Sequence, residues 1–206
     1  MNEPAVNLRV FCYDIHMEKN IDMTRLRWVK RPRLSVSTPE KLIVETEPFS
    51  DLKKDGTCIE AIMPVSGNTF CLSARCDFNY KNALDQCGLV LYEDDQRKAV
   101  VGMEYHDGEI SELASNVYHS DGYDRCHRDM ASGICWMYYR IWVREDTVLV
   151  EYSFNGKRYS GMRRFRINRD HQFHVGIFAC SPLDSSFDCI FSEMKVMKEE
   201  KDDNEY

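Results

Sequence analysis

No stretch of this chain approaches the ~18 consecutive apolar residues of a membrane-spanning helix. The opening residues, MNEPAVNLRVFCYDIHMEKN, carry early charges and lack an apolar run followed by small residues, so they do not read as a secretory signal. No 15-residue window holds an apolar stripe at helical spacing, which argues against a helical bundle. Cys-x-x-Cys is absent, and the nine cysteines are odd in number. In a chain without a signal, that count argues against a disulfide framework. Cys71 and Cys76, the pair nearest in sequence, are five apart and so face opposite sides of a strand. The nine cysteines therefore read as reduced thiols packed as small hydrophobes, in a cytoplasmic protein with no metal site or cofactor expected.

Lys and Arg number 27 against 34 Asp and Glu, a formal charge of −7. The last eight residues, EEKDDNEY, hold five acids and one lysine and supply −4 of that total. The remaining body is only mildly acidic, so no global field recruits nucleic acid or an anionic membrane. Five of the nine residues from Arg25 to Arg33 are basic, with one aromatic. Nucleic-acid binding wants a broader basic face and stacking platforms, so this segment reads as a solvated edge. Arg163, Arg164 and Arg166 read as an outer strand face.

What is present is alternation with a period of two. It predicts strands near 26–29, 41–47, 57–64, 69–78, 86–93, 98–106, 109–118, 136–144, 147–154, 158–167, 172–180 and 187–197. About twelve short strands with polar turns favour an all-β sandwich or barrel. Asn155-Gly156 reads as a two-residue hairpin turn, since both residue types tolerate positive φ, and Asp107-Gly108 reads the same way. Glu145-Asp146 turns 136–144 into 147–154. A chain of 206 residues suits one domain. The expected division is an irregular leader over 1–25, a sandwich over 26–198 and a disordered acidic tail over 199–206.

Parity within strands separates the faces. Met137, Tyr139, Ile141 and Val143 form a core face, opposed by Trp136, Tyr138, Arg140 and Trp142. Val101, Met103 and Tyr105 oppose Gly102, Glu104 and His106. Val175, Ile177 and Ala179 oppose His174, Gly176 and Phe178. Glu104 and Arg140 are expected on one open face, as a salt bridge or as ligand-binding groups. Trp136, Tyr138 and Trp142 either stack on a sugar ring or pack beneath the leader. Retaining glycosidases need two carboxyls ~5–5.5 Å apart. No E-x-D-x-E run supplies such a pair, and Glu109 and Glu112 have opposite parity. His171 and His174 differ in parity, which disfavours a shared metal. Glu93-Asp94-Asp95 reads as a soluble hairpin tip rather than a calcium loop.

The stretch DQCGLVLYEDDQRKAVVGMEYHDG (85–108) resembles the pattern D-Q-A-G-L-x-x-R followed by W-x-K-A-G-I-E-F-x-D-G. That pattern belongs to a family of concanavalin A-like domains of unknown function whose members include fungal regulation-of-enolase proteins. VYHSDGYDR (117–125), YYRIWVREDTVLVEYSFNGKRY (138–159) and HVGIFACSP (174–182) continue the resemblance in order. It runs from about Leu42 to Lys198 and implies a concanavalin A-like jelly-roll sandwich of two antiparallel sheets. Tyr92, Lys98 and Val100 depart from the family pattern, as do Ser50-Asp51-Leu52-Lys53, whereas Gln86, Glu104, Asp107, Asp121 and Arg140 keep it.

Resemblance and parity together point to Gln86, Tyr92, Glu104, His106, Asp121, Arg140 and Trp142 as a non-catalytic site for a glycan or polyol. The alternative is a cytosolic regulatory module with a protein partner, in the manner of the regulation-of-enolase proteins; a glycoside hydrolase is the least favoured reading. An open Trp142 beside Arg140 would favour the glycan, and burial of both would favour the protein partner.

Overall fold

The computed structural model describes residues 17–53, 56–94, 97–167 and 172–198. The strands are β1 (Met17–Asn20), β2 (Arg27–Lys30), β3 (Ser35–Ser37), β4 (Lys41–Glu45), β5 (Ile59–Val65), β6 (Thr69–Phe78), β7 (Gln86–Tyr92) and β8 (Lys98–Tyr105). They continue as β9 (Ile110–His119), β10 (Gly122–Ala131), β11 (Trp136–Arg144), β12 (Thr147–Ser153), β13 (Ser160–Arg166), β14 (Phe173–Cys180) and β15 (Asp188–Lys198). Every pair in the sheets is antiparallel. One sheet runs β13-β12-β11-β6-β15-β4-β3, with β1 beside the far end of β15. The other runs β10-β9-β8-β7-β14-β5-β2. The two stack as a jelly-roll sandwich.

Alternation builds the core. On β6, Phe70, Leu72, Ala74, Cys76 and Phe78 point between the sheets, and β11 adds Met137, Tyr139, Ile141 and Val143. Cys87, Leu89 and Leu91 of β7 and Val175, Ile177 and Ala179 of β14 answer from the opposite sheet. Each large apolar side chain so buried contributes ~1.5–3 kcal/mol. The seven-stranded sheet carries a second, smaller apolar layer on its outer face, built from Ile62, Val90, Val100, Phe178, Cys180, Cys58 and Leu52. That layer is the floor of the site described below.

Several sequence expectations change. The alternation predicts no strand between 118 and 136, yet residues 122–131 form the ten-residue edge strand β10. The leader expected over 1–25 belongs to the sandwich from Met17 onward: β1 pairs with β15, and Ile21 and Met23 are buried in the core. Asn155-Gly156 sits in a loop spanning 154–159 rather than a two-residue turn, although Gly156 does take φ +68°. Asp107-Gly108 sits in a four-residue loop, where the Asp107 carboxylate accepts from the Glu109 and Ile110 amides. Glu145-Asp146 is the two-residue turn expected, with Arg144 opposite Thr147. Cys12, His171, Asp95 and the tail over 199–206 lie outside the described residues.

Arg163 does not join an outer face. It turns inward from edge strand β13 and donates to the carbonyls of Ser115 and Asp124 and to the Asp124 carboxylate on the other sheet. The two edges are thereby stitched together, which blunts an exposed pairing edge.

Candidate functional site

The outer face of the seven-stranded sheet holds a concavity of about 540 Å³. Glu60 on β5 and Lys98 on β8 meet across it at 2.8 Å. Three strand spacings separate them, ~14 Å at ~4.8 Å each. That span plus their offset along the strands exceeds what the two side chains cover over a flat sheet, so this face curves toward them.

Glycine makes room for the curvature. Gly88 and Gly102 stand opposite each other on β7 and β8. A Cβ on Gly88 would lie 1.9 Å from the Val101 carbonyl oxygen, and one on Gly102 would lie 2.2 Å from that of Cys87. The Phe178 ring covers this pair, 3.0 Å from where the Gly102 Cβ would be.

Polar and aromatic groups stand on that floor. Tyr92, directly opposite Lys98, donates its phenol to Glu60. Lys98 Nζ lies 5.6 Å and 5.7 Å from the ring centroids of Tyr92 and Tyr118. Tyr118 and Tyr123 are cross-strand partners on β9 and β10 and stack at 5.5 Å. Lys53 Nζ sits 4.6 Å from the Tyr123 centroid. Burial pushes the Tyr118 phenol well above its usual range, so it stays protonated. The Asn116 amide donates to its oxygen. Glu60 is almost fully buried, and its carboxylate is satisfied by Lys98 and Tyr92 together.

A second cluster lies six residues further along β8. Glu104 faces Glu112 across the β8–β9 ladder, and His106 Nε2 is 3.2 Å from one and 3.6 Å from the other. The three donor atoms lie within 4.8 Å of one another and could hold a divalent cation. Arg125 occupies the same oxygens: its Nη2 lies 2.9 Å from Glu104 and also bonds Glu112. Burial alone would push the Glu112 carboxyl up, but the Arg125 hydrogen bond and charge hold it below the usual range. Glu112 is thus the cross-strand carboxylate that parity with Glu109 concealed. Held ionised by a guanidinium, Glu112 is poorly suited to the general-acid half of glycoside cleavage.

The seven residues expected at one site divide between two faces. Gln86, Tyr92, Glu104 and His106 share the seven-stranded sheet, with Asp121 exposed in the β9–β10 turn beside the concavity. Gln86 is buried and donates to the Leu84 carbonyl. Arg140 and Trp142 belong to the other sheet, so the expected Glu104–Arg140 pair does not form. Arg140 instead bonds Glu151 at 2.6 Å. Trp142 is buried, with the Arg140 and Arg144 guanidinium groups 5.4 Å and 4.6 Å from its centroid. It therefore offers no open ring for a sugar, while Arg140 stays half-exposed. Glu93, expected at a solvated tip, is buried against Arg97. Glu60, Lys98, Tyr118 and Tyr123 were not singled out as site residues, although Tyr92 and Lys98 both fall where the family pattern is broken.

These features define a jelly-roll sandwich with a ligand-sized, tyrosine-lined concavity on one outer face. The chain belongs to the family described as protein of unknown function (DUF1349), whose model matches residues 28–199. It is 21% identical to Regulation of enolase protein 1 of Saccharomyces cerevisiae over 186 residues, covering 86% of this chain and 92% of that one. Among solved structures it is similar to a functionally unknown protein from Saccharomyces cerevisiae, with a TM-score of 0.76, 19% identity and coverage of 87% of this chain and 100% of the other. It also resembles the GH43 protein BlXynB from Bacillus licheniformis, with a TM-score of 0.68 and 15% identity, covering 91% of this chain and 40% of that one. The catalytic domain of a Thermotoga petrophila laminarinase shares the fold at a TM-score of 0.56 and 11% identity, covering 83% and 82%.

Proposed function

We propose that this chain is a non-catalytic binding module whose ligand is a glycan or polyol seated in the Tyr92–Tyr118–Tyr123 concavity. The observation that carries this reading is the pairing of tyrosine rings with a buried carboxylate–ammonium pair inside one pocket. Ring faces supply apolar area against the C–H face of a sugar. Lys53, Ser120 and the Glu60–Lys98 pair supply a few hydrogen-bonding groups, the composition usual for small-ligand sites. The site is Tyr92 and its neighbours; Arg140 and Trp142 are not part of it. The module works in the cytosol on this reading. A glycan array on the full chain, followed by titration calorimetry of any hit, tests it. Binding undiminished in a Tyr118→Ala, Tyr123→Ala double variant would overturn the site.

A protein-interaction role is the second reading. Trp136 and Phe154 are both exposed on the other sheet and joined by a hydrogen bond from the indole to the Phe154 carbonyl. The name of the yeast relative is consistent with a regulatory task. Cross-linking of endogenous partners that is lost in a Trp136→Ala variant would favour it.

A further inference from the structure

We propose that Cys58 and Cys180 form an oxidisable dithiol, a modification site that a peroxide closes to a disulfide. The β5–β14 ladder runs to the pair Ile59–Ala179. One step further, an antiparallel register sets Cys58 opposite Cys180. Both sit in the apolar layer beneath the concavity, and the Cys58 thiol reaches across to β14, donating to the Ala179 carbonyl next to Cys180 as well as to that of Ile59. Directly opposed residues in such a ladder have Cα atoms ~4.5–5.5 Å apart. That lies inside the ~4.4–6.8 Å range that disulfides span.

Strand pairing and access together set this pair apart: Cys87 and Cys189 approach only from opposite sheets and are sealed in the core. Cys71 stands opposite Trp142 and Met197, Cys76 opposite Met137 and Phe191, and Cys87 opposite Met103 and Ala179. Cys126 stands opposite Ser115, and Cys189 opposite Val44 and Phe78. Among the described residues, no other two cysteines face each other on neighbouring strands. Access is also unequal. Cys58 borders the concavity, where a molecule as small as hydrogen peroxide reaches it. Cys180 is sealed, and burial keeps its thiol protonated.

Cys58 therefore reacts first and Cys180 resolves. The Cys58 thiolate attacks one peroxide oxygen, the O–O bond breaks, and the leaving hydroxide takes a proton to become water. The product is a sulfenic acid on Cys58. The Cys180 sulfur then displaces the hydroxyl, forming the S–S bond and losing its proton to a second water. Two electrons pass from the two sulfurs to the peroxide. The disulfide would tie the start of β5 to the end of β14 beneath Leu52.

The test is thiol mapping of the full chain after one equivalent of hydrogen peroxide, with alkylation in denaturant and peptide mass spectrometry. The expected result is a Cys58–Cys180 cross-linked peptide that dithiothreitol removes. In a Cys180→Ala variant, dimedone should label Cys58. Full alkylation of both thiols while Cys126 or Cys135 oxidises, or a cross-link joining another pair, would overturn the proposal. The wild-type map decides on its own if the Cys180→Ala variant folds poorly, and it requires no ligand, so its outcome is independent of the glycan reading.

Discussion

Lys98 and Glu60 are 38 residues apart in sequence and meet at 2.8 Å above β7 and β14. The contact spans the concave outer face of the seven-stranded sheet and also carries a cost. Desolvating two charges costs several kcal/mol per ion unless each is paired and hydrogen-bonded. Here Tyr92 supplies the second hydrogen bond to Glu60.

Removing one partner should therefore hurt more than removing both. Lys98→Met leaves Glu60 buried without its cation, and unfolding stability should fall by ~3–5 kcal/mol. The double variant Lys98→Met, Glu60→Leu should recover a large part of that loss. Urea unfolding of the three proteins checks this; equal or additive losses would show that the two charges do not act as a pair.

Glu112 gives a pH signature. Its carboxyl is held below the usual range, against its burial, by Arg125. A carboxyl depressed on folding stabilises fully above the unfolded value of ~4.3 and loses that contribution as pH falls through the lower folded value. The stability gap between wild type and Glu112→Gln should be full at about pH 5 and shrink as the solution is made more acid. Denaturant unfolding across that range measures it. A gap independent of pH would mean that Arg125 contributes nothing through charge.

Gly88 should tolerate no side chain. Its Cβ would meet the Val101 carbonyl oxygen at 1.9 Å, and backbone cannot retreat as a flexible side chain does. Gly88→Ala should cost ~1–3 kcal/mol or prevent folding. Gly133→Ala, with no atom within 4 Å of the added carbon, should stay within ~0.5 kcal/mol of wild type. Comparable melting temperatures for the two variants would rule out the tight glycine floor.

The core was legible because alternation there is strict. β6 and β11 fall where periodicity sets them, to the residue at both ends. β10 was not legible, since GYDRCHRDMA has no consistently apolar face: Cys126 and Met130 alternate with Asp124 and Arg128 on the inward side. Tyr123, Arg125, His127 and Asp129 look outward, while Asp124 and Arg128 reach across the sandwich rim to Arg163 and Tyr152. No apolar side marks it as a strand.

The site was legible only in part, for a reason of register. A two-residue turn at Asp107-Gly108 would pair His106 with Glu109 and Glu104 with Ser111. In the ladder Tyr105 faces Ser111, so the odd count of five residues, 106–110, lies between the last facing pair and moves the register by one, setting Glu104 opposite Glu112. A one-residue slip changes which side chains meet. Parity also says that Arg140 and Trp142 face outward but not from which sheet. Glu60, Tyr92, Lys98 and Tyr118 come from four strands, and no local spacing links them.

Variants of Tyr123 and Arg140 separate the two outer faces. Tyr123 is exposed and stacks on Tyr118 at the rim of the concavity, so Tyr123→Ala should leave the fold intact. Loss of one stacking ring is worth ~0.5–1.5 kcal/mol, which is up to about tenfold in affinity for any glycan hit. Arg140→Ala should do the reverse. It strands the largely buried Glu151 carboxylate, whose partner at 2.6 Å is lost, and so lowers stability while leaving affinity unchanged. Calorimetric titration and thermal unfolding of both variants give four readings. If Arg140→Ala weakens binding and Tyr123→Ala does not, the ligand lies on the eight-stranded sheet, and the tyrosine concavity is not the binding site.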